Sequence, residues 1–140
     1  FKHIKHVVDT VGSVEGLTSG MARGGVGFTQ AANAYFQELA AYGAKEALWQ
    51  VSRECYTDRA SDMYGARPVF FAHDEIFSEV PKAIAHLAAP GRAQVMVDAL
   101  RVHLTDVAIV AEPALMYRWD KGAATVYDST GKLIPDPRTL

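Results

Sequence analysis

The chain has 140 residues, a formal net charge of −2 and a pI of about 6.2, which fits one domain with a hydrophobic core. Apolar residues make up 49% and charged residues 21%, which is an ordinary composition for a globular protein. Because the net charge is slightly negative, the overall charge does not indicate nucleic-acid binding. The single cysteine, Cys55, excludes an internal disulfide and a zinc cluster built on several cysteines. No apolar run reaches the roughly 18 residues of a membrane span. We therefore expect no membrane partner and a reducing, cytoplasmic compartment.

The first half of the chain predicts two helices around a glycine-rich segment. Apolar residues at helical spacing predict a helix over residues 1–10. We interpret it as the end of a longer helix, because the chain opens on Phe1 rather than methionine. Six glycines between residues 11 and 27 predict a weak hairpin or an irregular loop. Residues 28–56 form the longest regular pattern and predict a helix, with Asn33 and Gln37 on one face.

The second half alternates short strands with a broken helix. Residues 57–67 read as a loop, and Pro90-Gly91 is expected to interrupt the helical pattern because proline lacks an amide donor. The tail from residue 123 is predicted to be a loosely packed extension. The remaining predicted elements are strands at 69–72 and 76–80, a helix from Pro81 or Lys82 to Ala89, its continuation over 92–104, and a buried strand at 107–111 that 114–119 extends.

These elements predict an α+β fold. We expect an antiparallel sheet of strands 69–72, 76–80 and 107–112, packed against the long helix and the broken helix. Asp74 would then lie at the edge of that three-stranded sheet.

The turn between the two central strands contains one imidazole and two carboxylates. It reads His73-Asp74-Glu75, and neighbouring carboxylates at a strand end are a common way to hold Mg²⁺ through oxygen ligands. The alternative is a surface turn without a function, since aspartate is an ordinary turn former. The residue pattern alone leaves both interpretations open.

Three motifs in order resemble the family A DNA polymerases, the DNA polymerase I type. Residues 72–76, Ala-His-Asp-Glu-Ile, resemble that family's motif C, whose core is His-Asp-Glu between apolar strands. Residues 33–41 resemble its Asn-x-x-x-Gln-Gly-x-Ala-Ala-Asp segment. Residues 111–120 resemble its closing strand, including the seven-residue step from Glu112 to Trp119. The amino-acid sequence of residues 113–116 and 121–123 resembles phage members of that family more than bacterial members. The resemblance implies a palm fragment: a C-terminal fingers and palm portion at 1–122 and a C-terminal extension at 123–140.

The resemblance also implies roles for individual residues. Asp74 would ligate catalytic Mg²⁺, with Mn²⁺ as an alternative, and Glu75 would help position the metal site or the primer end. His73 would lie beneath the primer terminus, and Asn33 and Gln37 would reach the minor groove of the new duplex. The implied reaction is metal-dependent nucleotidyl transfer from a dNTP to a primer 3′ end on primer–template DNA. The compartment would be the cytoplasm, or the host cytoplasm for a viral protein.

Parts of the family pattern are not found in this chain. The family glycine after Gln37 is Glu38, the family aspartate is Tyr42, and neither the other catalytic carboxylate motif nor the nucleotide-binding Arg-Lys helix is found. We therefore expect the remainder of the polymerase, in a longer chain or a companion polypeptide, to complete the site, and the isolated chain to be inactive. The alternatives are a non-catalytic DNA-binding or assembly module derived from a polymerase palm, and an unrelated small α+β protein.

Overall fold

The computed structural model describes residues 2–16 and 18–140, and the chain divides into two compact units. Unit 1 extends to Lys45 and unit 2 runs from Glu46 to Leu140; the long second helix begins in the first and ends in the second. The elements in chain order are α1 (Lys2–Val11), β1 (Ser13–Glu15), β2 (Ala22–Gly24), α2 (Phe28–Tyr56), β3 (Arg67–Ala72), β4 (Glu75–Glu79), α3 (Ala85–Arg101), β5 (Val126–Tyr127), β6 (Leu133–Ile134) and a short 3₁₀ helix (Pro137–Thr139).

Unit 1 is built from α1, the β1–β2 hairpin and the start of α2. Val14, Val26 and Ala31 are buried, and one side of α1 packs against them through Ile4, Val7 and Val8. The helix predicted over 1–10 is confirmed for the described residues, and the glycine-rich segment forms the hairpin alternative rather than an irregular loop. At the start of α2, the Gln30 side chain accepts a hydrogen bond from the Gly27 amide at 3.1 Å, which satisfies a donor that the helix leaves open.

Unit 2 is organised around the second half of α2. Ala47, Val51 and Cys55 recur at helical spacing on one side of that helix and are almost fully buried. They share a cluster with further buried side chains from the loop, β4 and α3, namely Met63, Ala66, Ile76, Ala88 and Ala99. A second, smaller cluster joins Ala89 of α3 to Leu115 and Leu133.

The helix break predicted at Pro90-Gly91 is wrong. A single helix, α3, runs from Ala85 to Arg101 with Pro90 inside it, and the segment before Ala85 is a turn rather than helix. Proline inside a helix costs about 3 kcal/mol, because a backbone hydrogen bond is lost and the ring crowds the previous turn. Ala88 and Ala89 before the proline and Val97 and Ala99 after it are buried, so packing on both sides offsets that cost.

The three-stranded sheet is also wrong. Within the described residues the strands form separate two-stranded antiparallel hairpins, β1–β2, β3–β4 and β5–β6. Residues 107–111, predicted as a buried strand, have no strand assignment, and Val107 and Val110 are 56% and 78% exposed. Residues 114–119 contain only an isolated bridge from Leu115 to Pro135. The α+β class is confirmed, and the sheet that would have placed Asp74 at its edge is replaced by a hairpin.

The C-terminal segment is not loosely packed. After β5 the chain turns at residues 128–131 and returns as β6, and Leu133, Asp136 and Thr139 are buried. Asp136 accepts hydrogen bonds from the Ala124 amide and from the Arg138 side chain, and its own amide donates to the Leu115 carbonyl. The sequence resemblance also predicts that residues 1–122 correspond to a polymerase portion and that residues 123–140 are an extension of it. That division stays a prediction. Across the described parts of the chain, no helix has the length and apolarity that crossing a membrane would need.

Candidate functional site

The predicted catalytic residues lie at the tip of the β3–β4 hairpin. Ala72 pairs with Glu75, so His73 and Asp74 form a two-residue loop between antiparallel strands. Phe70 and Phe77 face each other across the strands with ring centroids 5.4 Å apart, and Ile76 is buried in the core of unit 2. The aromatic cross-strand pair and the buried Ile76 fix the register, and the register puts the polar residues in the turn.

The backbone at His73 is unusual. Its φ is +55°, and no other non-glycine residue in the described ranges has a positive φ. A side chain in this region costs on the order of 1 kcal/mol, and such positions cluster at functional sites. A glycine would adopt this backbone conformation without that cost, and histidine is one of the few other residue types enriched at positive φ.

His73, Asp74 and Glu75 are all exposed, which leaves both carboxylates open to ligands from solvent. Asp74 lies in the loop and Glu75 opens β4, and successive residues of a strand point to opposite faces. Among the described residues, no group of three or more histidine, cysteine, aspartate or glutamate side chains is arranged to hold a metal ion. Mg²⁺ is commonly held by one or two carboxylates together with waters and substrate phosphates. The exposed Asp74 carboxylate therefore offers one side chain with oxygen ligands to a cation, and the remaining ligands would have to come from elsewhere.

The predicted DNA-contacting residues lie on α2 within unit 1. Asn33 and Gln37 are both exposed and stand one turn apart on the same side of the helix. Each offers an amide with two donors and one acceptor oxygen. The structure thus brings Asn33 together with Gln37 on one helix face, and His73 together with Asp74 and Glu75 at one hairpin tip.

Glu38, the residue after Gln37 on α2, makes hydrogen bonds within unit 1. Its carboxylate accepts hydrogen bonds from the Ser19 amide at 2.9 Å and from the Thr18 hydroxyl at 3.2 Å. Hydrogen bonding from Ser19, and then from Thr18, holds the pKa of Glu38 below its ordinary value of 4.5. Gly16 makes room for this side chain, since a Cβ there would lie 2.7 Å from the Glu38 Cδ. The carboxylate therefore fastens the β1–β2 turn onto α2.

A cavity of about 290 Å³ lies between that hairpin and α2, entirely within unit 1. The helix wall contains Tyr35, Gln37, Tyr42 and Lys45, and the hairpin wall includes Arg23. Sequence reasoning did not find this cavity. The available signal was two tyrosines seven residues apart followed by a lysine, which places all three near one helix face.

Comparisons with known proteins found no similarity: no protein-family model matches the chain, and neither a curated protein nor a solved structure matches it.

Proposed function

We propose that the chain is part of a DNA-directed DNA polymerase that transfers nucleotidyl groups from a dNTP to a primer 3′ end. The observation that carries the proposal is the strained two-residue turn that presents the Asp74 carboxylate at the tip of an antiparallel hairpin. The sequence around that turn and on α2 resembles two motifs of the family A enzymes in the expected order. The chain needs further polymerase residues, in a longer chain or a companion polypeptide, to complete the site.

Asp74 is the metal ligand in this proposal. Its exposed carboxylate would supply oxygen ligands to Mg²⁺, or to Mn²⁺, and the metal would supply stabilisation of the negative charge that develops in the displacement. Glu75 adds a second carboxylate that positions the metal site or the primer end, and His73 supports the primer terminus. The short loop holds His73 and Asp74 between the paired ends of β3 and β4, and Glu75 pairs with Ala72 as the first residue of β4.

The exposed amides of α2 provide contacts to primer–template DNA. Asn33 and Gln37 offer donors, and the minor groove presents an acceptor at every base pair. Contacts of this kind test the shape of a base pair without reading its sequence. A protein of net charge −2 would obtain the remaining attraction to phosphate from the rest of the polymerase.

The Asp74→Ala variant tests the catalytic assignment. In the assembled polymerase with Mg²⁺, we expect primer extension to fall by at least about a thousandfold, since the metal would lose a direct ligand. DNA affinity measured by fluorescence anisotropy should stay within about twofold, because Asp74 makes no proposed DNA contact. Asp62→Ala, which removes another exposed carboxylate of unit 2, is the matched control and should extend primers normally. Wild-type extension by Asp74→Ala would refute the assignment.

The native mass of the purified species, measured without denaturant, should precede that assay. A species heavier than the 15.2 kDa chain, with a second polypeptide in it, would identify the companion that completes the site. Primer extension would then be measured on that complex. A lone 15.2 kDa chain that also fails to extend primers when mixed with the other polymerase segments would favour the alternative below.

The second candidate is a non-catalytic assembly module with the same fold. An exposed aromatic cluster favours it. Phe70 and Trp119 are 57% and 67% exposed, and their ring centroids lie 5.4 Å and 6.4 Å from that of Phe77. A contiguous apolar patch on the surface is typical of interaction sites. This candidate predicts that Asp74→Ala leaves every function of the complex intact. It also predicts that Trp119→Ser weakens association with the partner polypeptide.

A further inference from the structure

The cavity between the β1–β2 hairpin and α2 combines balanced charges with a mostly apolar lining. Glu15 and Glu38 in its wall balance Arg23 and Lys45, so the lining carries no formal net charge. We propose that this cavity binds a neutral aromatic amide, a single ring that carries an uncharged carboxamide or lactam group. The proposal does not rest on the polymerase assignment, although Gln37 belongs to both.

The charged side chains of the lining favour neither an anion nor a cation. Hydrogen bonds from the uncharged Ser19 and Thr18 hold the pKa of Glu38 below its ordinary value, so this carboxylate stays ionised at neutral pH. The other three charged groups of the lining are exposed and are therefore solvated by water. An ionic ligand would give up its own hydration and meet two charges of each sign, so a neutral ligand loses least on entering the cavity.

Apolar and aromatic side chains supply most of the lining. Val14 is buried and Tyr35 and Tyr42 are half-buried, whereas Met21 is 64% exposed although it lines the same cavity. Tyrosine rings favour offset or edge contacts with another ring, and a methionine sulfur makes favourable contacts with aromatic edges. A ligand ring in the cavity would therefore cover apolar surface of Met21 that now faces water.

Gln37 gives the cavity a neutral hydrogen-bonding group. Its side chain lines the cavity and is exposed, so its amide is open to a ligand. Because an amide has two donors and an acceptor oxygen, a carboxamide or lactam can pair with it through two hydrogen bonds, whereas a carboxylate can only accept. Small-molecule pockets usually measure about 300–1,000 Å³. A cavity of about 290 Å³ lies at the lower end and suits one ring with its amide group.

The cavity is formed before any ligand arrives. Glu38 fastens the turn of the hairpin to α2 by accepting a hydrogen bond from the Ser19 amide, and the absence of a side chain at Gly16 allows the two elements to approach closely. The Gly16 amide donates to the Met21 carbonyl at 2.9 Å, which holds Met21 beside the cavity. A preformed site avoids the cost of ordering the chain on binding, so a small ligand can bind measurably.

Benzamide is the probe for this site, added to the full ¹⁵N-labelled chain and followed by amide chemical shifts. We expect saturable shifts confined to residues of the β1–β2 hairpin and the first half of α2. Benzoate and benzamidine have nearly the same shape but carry a negative and a positive charge at neutral pH, and each should bind at least about threefold more weakly. Equal or tighter binding of either ion, shifts centred outside unit 1, or no shifts would each overturn the proposal.

A pair of phenylalanine variants tests the location without disturbing the core. Ala41→Phe fills the cavity from an exposed helix position that lines it, whereas Ala40→Phe adds the same ring at an exposed neighbour that does not. We expect the first to reduce affinity for benzamide about tenfold or more, because the added ring takes the place of the ligand, and the second to change it less than about twofold. Equal effects of the two variants would refute the cavity as the site.

A second pair of variants tests recognition of the amide. Gln37→Leu should weaken benzamide binding about threefold to tenfold and change the binding of toluene, which has a methyl group in place of the carboxamide, less than about twofold. Asn33→Leu removes an amide one turn earlier on α2 that does not line the cavity, and should change neither affinity. Equal losses for benzamide and toluene in Gln37→Leu, or no loss for benzamide, would overturn the assignment of an amide ligand.

Discussion

The contact between Gly16 and Glu38 shows how one missing side chain determines where another lies. A Cβ at residue 16 would fall 2.7 Å from the Glu38 Cδ and 2.9 Å from its Oε1, closer than atoms that are not bonded can approach. The obstructing group is the end of a flexible side chain rather than backbone. The chain can therefore accommodate a larger residue there only by moving the Glu38 carboxylate away from Ser19 and Thr18.

Gly16→Ala should consequently release the β1–β2 turn from α2. We expect a melting temperature lower by a few degrees and faster exchange of the Ser19 amide, which would lose its acceptor. Gly24→Ala is the matched control, because a Cβ at Gly24 meets nothing within 4 Å. Unchanged exchange at Ser19 in Gly16→Ala would contradict the argument.

The same pair predicts a pH dependence. The pKa of Glu38 is lowered in the folded chain, so its hydrogen bonds stabilise the fold above the ordinary value of 4.5 and are lost as the pH falls further. The difference in melting temperature between wild type and Gly16→Ala should therefore be largest at neutral pH and shrink below about pH 4.

At this scale the sequence predicted which residues form the polar turn but not their conformation. The apolar runs at 69–72 and 76–77 lie on either side of the polar residues 73–75, and that interruption located the hairpin. The positive φ of His73 follows from closing two strands with a two-residue loop, which depends on the register of all their pairs. Glu38 meets Ser19 across 19 residues of sequence, and no local pattern indicates such a contact.

Among the elements, the longest periodic one was predicted best. Apolar spacing located α2 at Phe28–Tyr56, and the structure has these bounds. The prediction of a strand at 107–111 was wrong because an apolar run shows only that residues are apolar and not that a neighbouring strand is present to pair with them. Val110 in that run is 78% exposed. The hairpin β5–β6 had a signal that was missed, Asp-Ser-Thr-Gly at residues 128–131 between two apolar pairs. Gly131 has a φ of +80° and closes that turn.

Pro90 offers a test of why α3 continues through a proline. Its ring is exposed, so replacement removes no buried packing, while alanine would restore the amide donor to the His86 carbonyl. We expect Pro90→Ala to raise the free energy of unfolding by about 1–2 kcal/mol, after allowing for the extra freedom of the unfolded chain. Urea denaturation measures this difference. A decrease in stability would mean that α3 requires the bend that proline imposes.

Asp136 holds the C-terminal segment through a buried carboxylate. Hydrogen bonds from Arg138 and from the Ala124 amide keep the pKa of Asp136 well below its ordinary value of 3.8. Because the folded pKa is the lower one, the stabilising contribution is complete above about pH 4 and is lost progressively as the pH falls below 3.8.

Asp136→Asn should therefore destabilise the protein at pH 7 and have a smaller effect at pH 3, as measured by urea denaturation at both values. Asp106→Asn is the control, since Asp106 is exposed and makes no hydrogen bond within the described residues. An equal loss of stability at both pH values would show that the carboxylate charge is not what holds the segment.

At the scale of the whole chain, each compact unit has its own buried cluster. Unit 1 buries Val14, Val26 and Ala31, and unit 2 buries the larger set around Val51 and Met63. None of the residues of α1 is fully buried, whereas α3 buries four of its residues. The smaller core should give unit 1 the lower local stability, since protection against unfolding follows buried apolar contact.

Two matched substitutions separate the stabilities of the units. Val14 is 3% exposed and Val51 is 0% exposed, so alanine at either position removes the same two methyl groups from a core, at a cost of about 2 kcal/mol. If each cluster stabilises its own unit, Val14→Ala should accelerate amide hydrogen exchange in α1 and the β1–β2 hairpin while leaving α3 unchanged. Val51→Ala should accelerate exchange in α3 and in the β3–β4 hairpin. Uniform acceleration throughout the chain by either variant would instead mean that α2, which runs through both units, unites them into one cooperative structure, and that the β3–β4 hairpin and the unit 1 cavity are stabilised together.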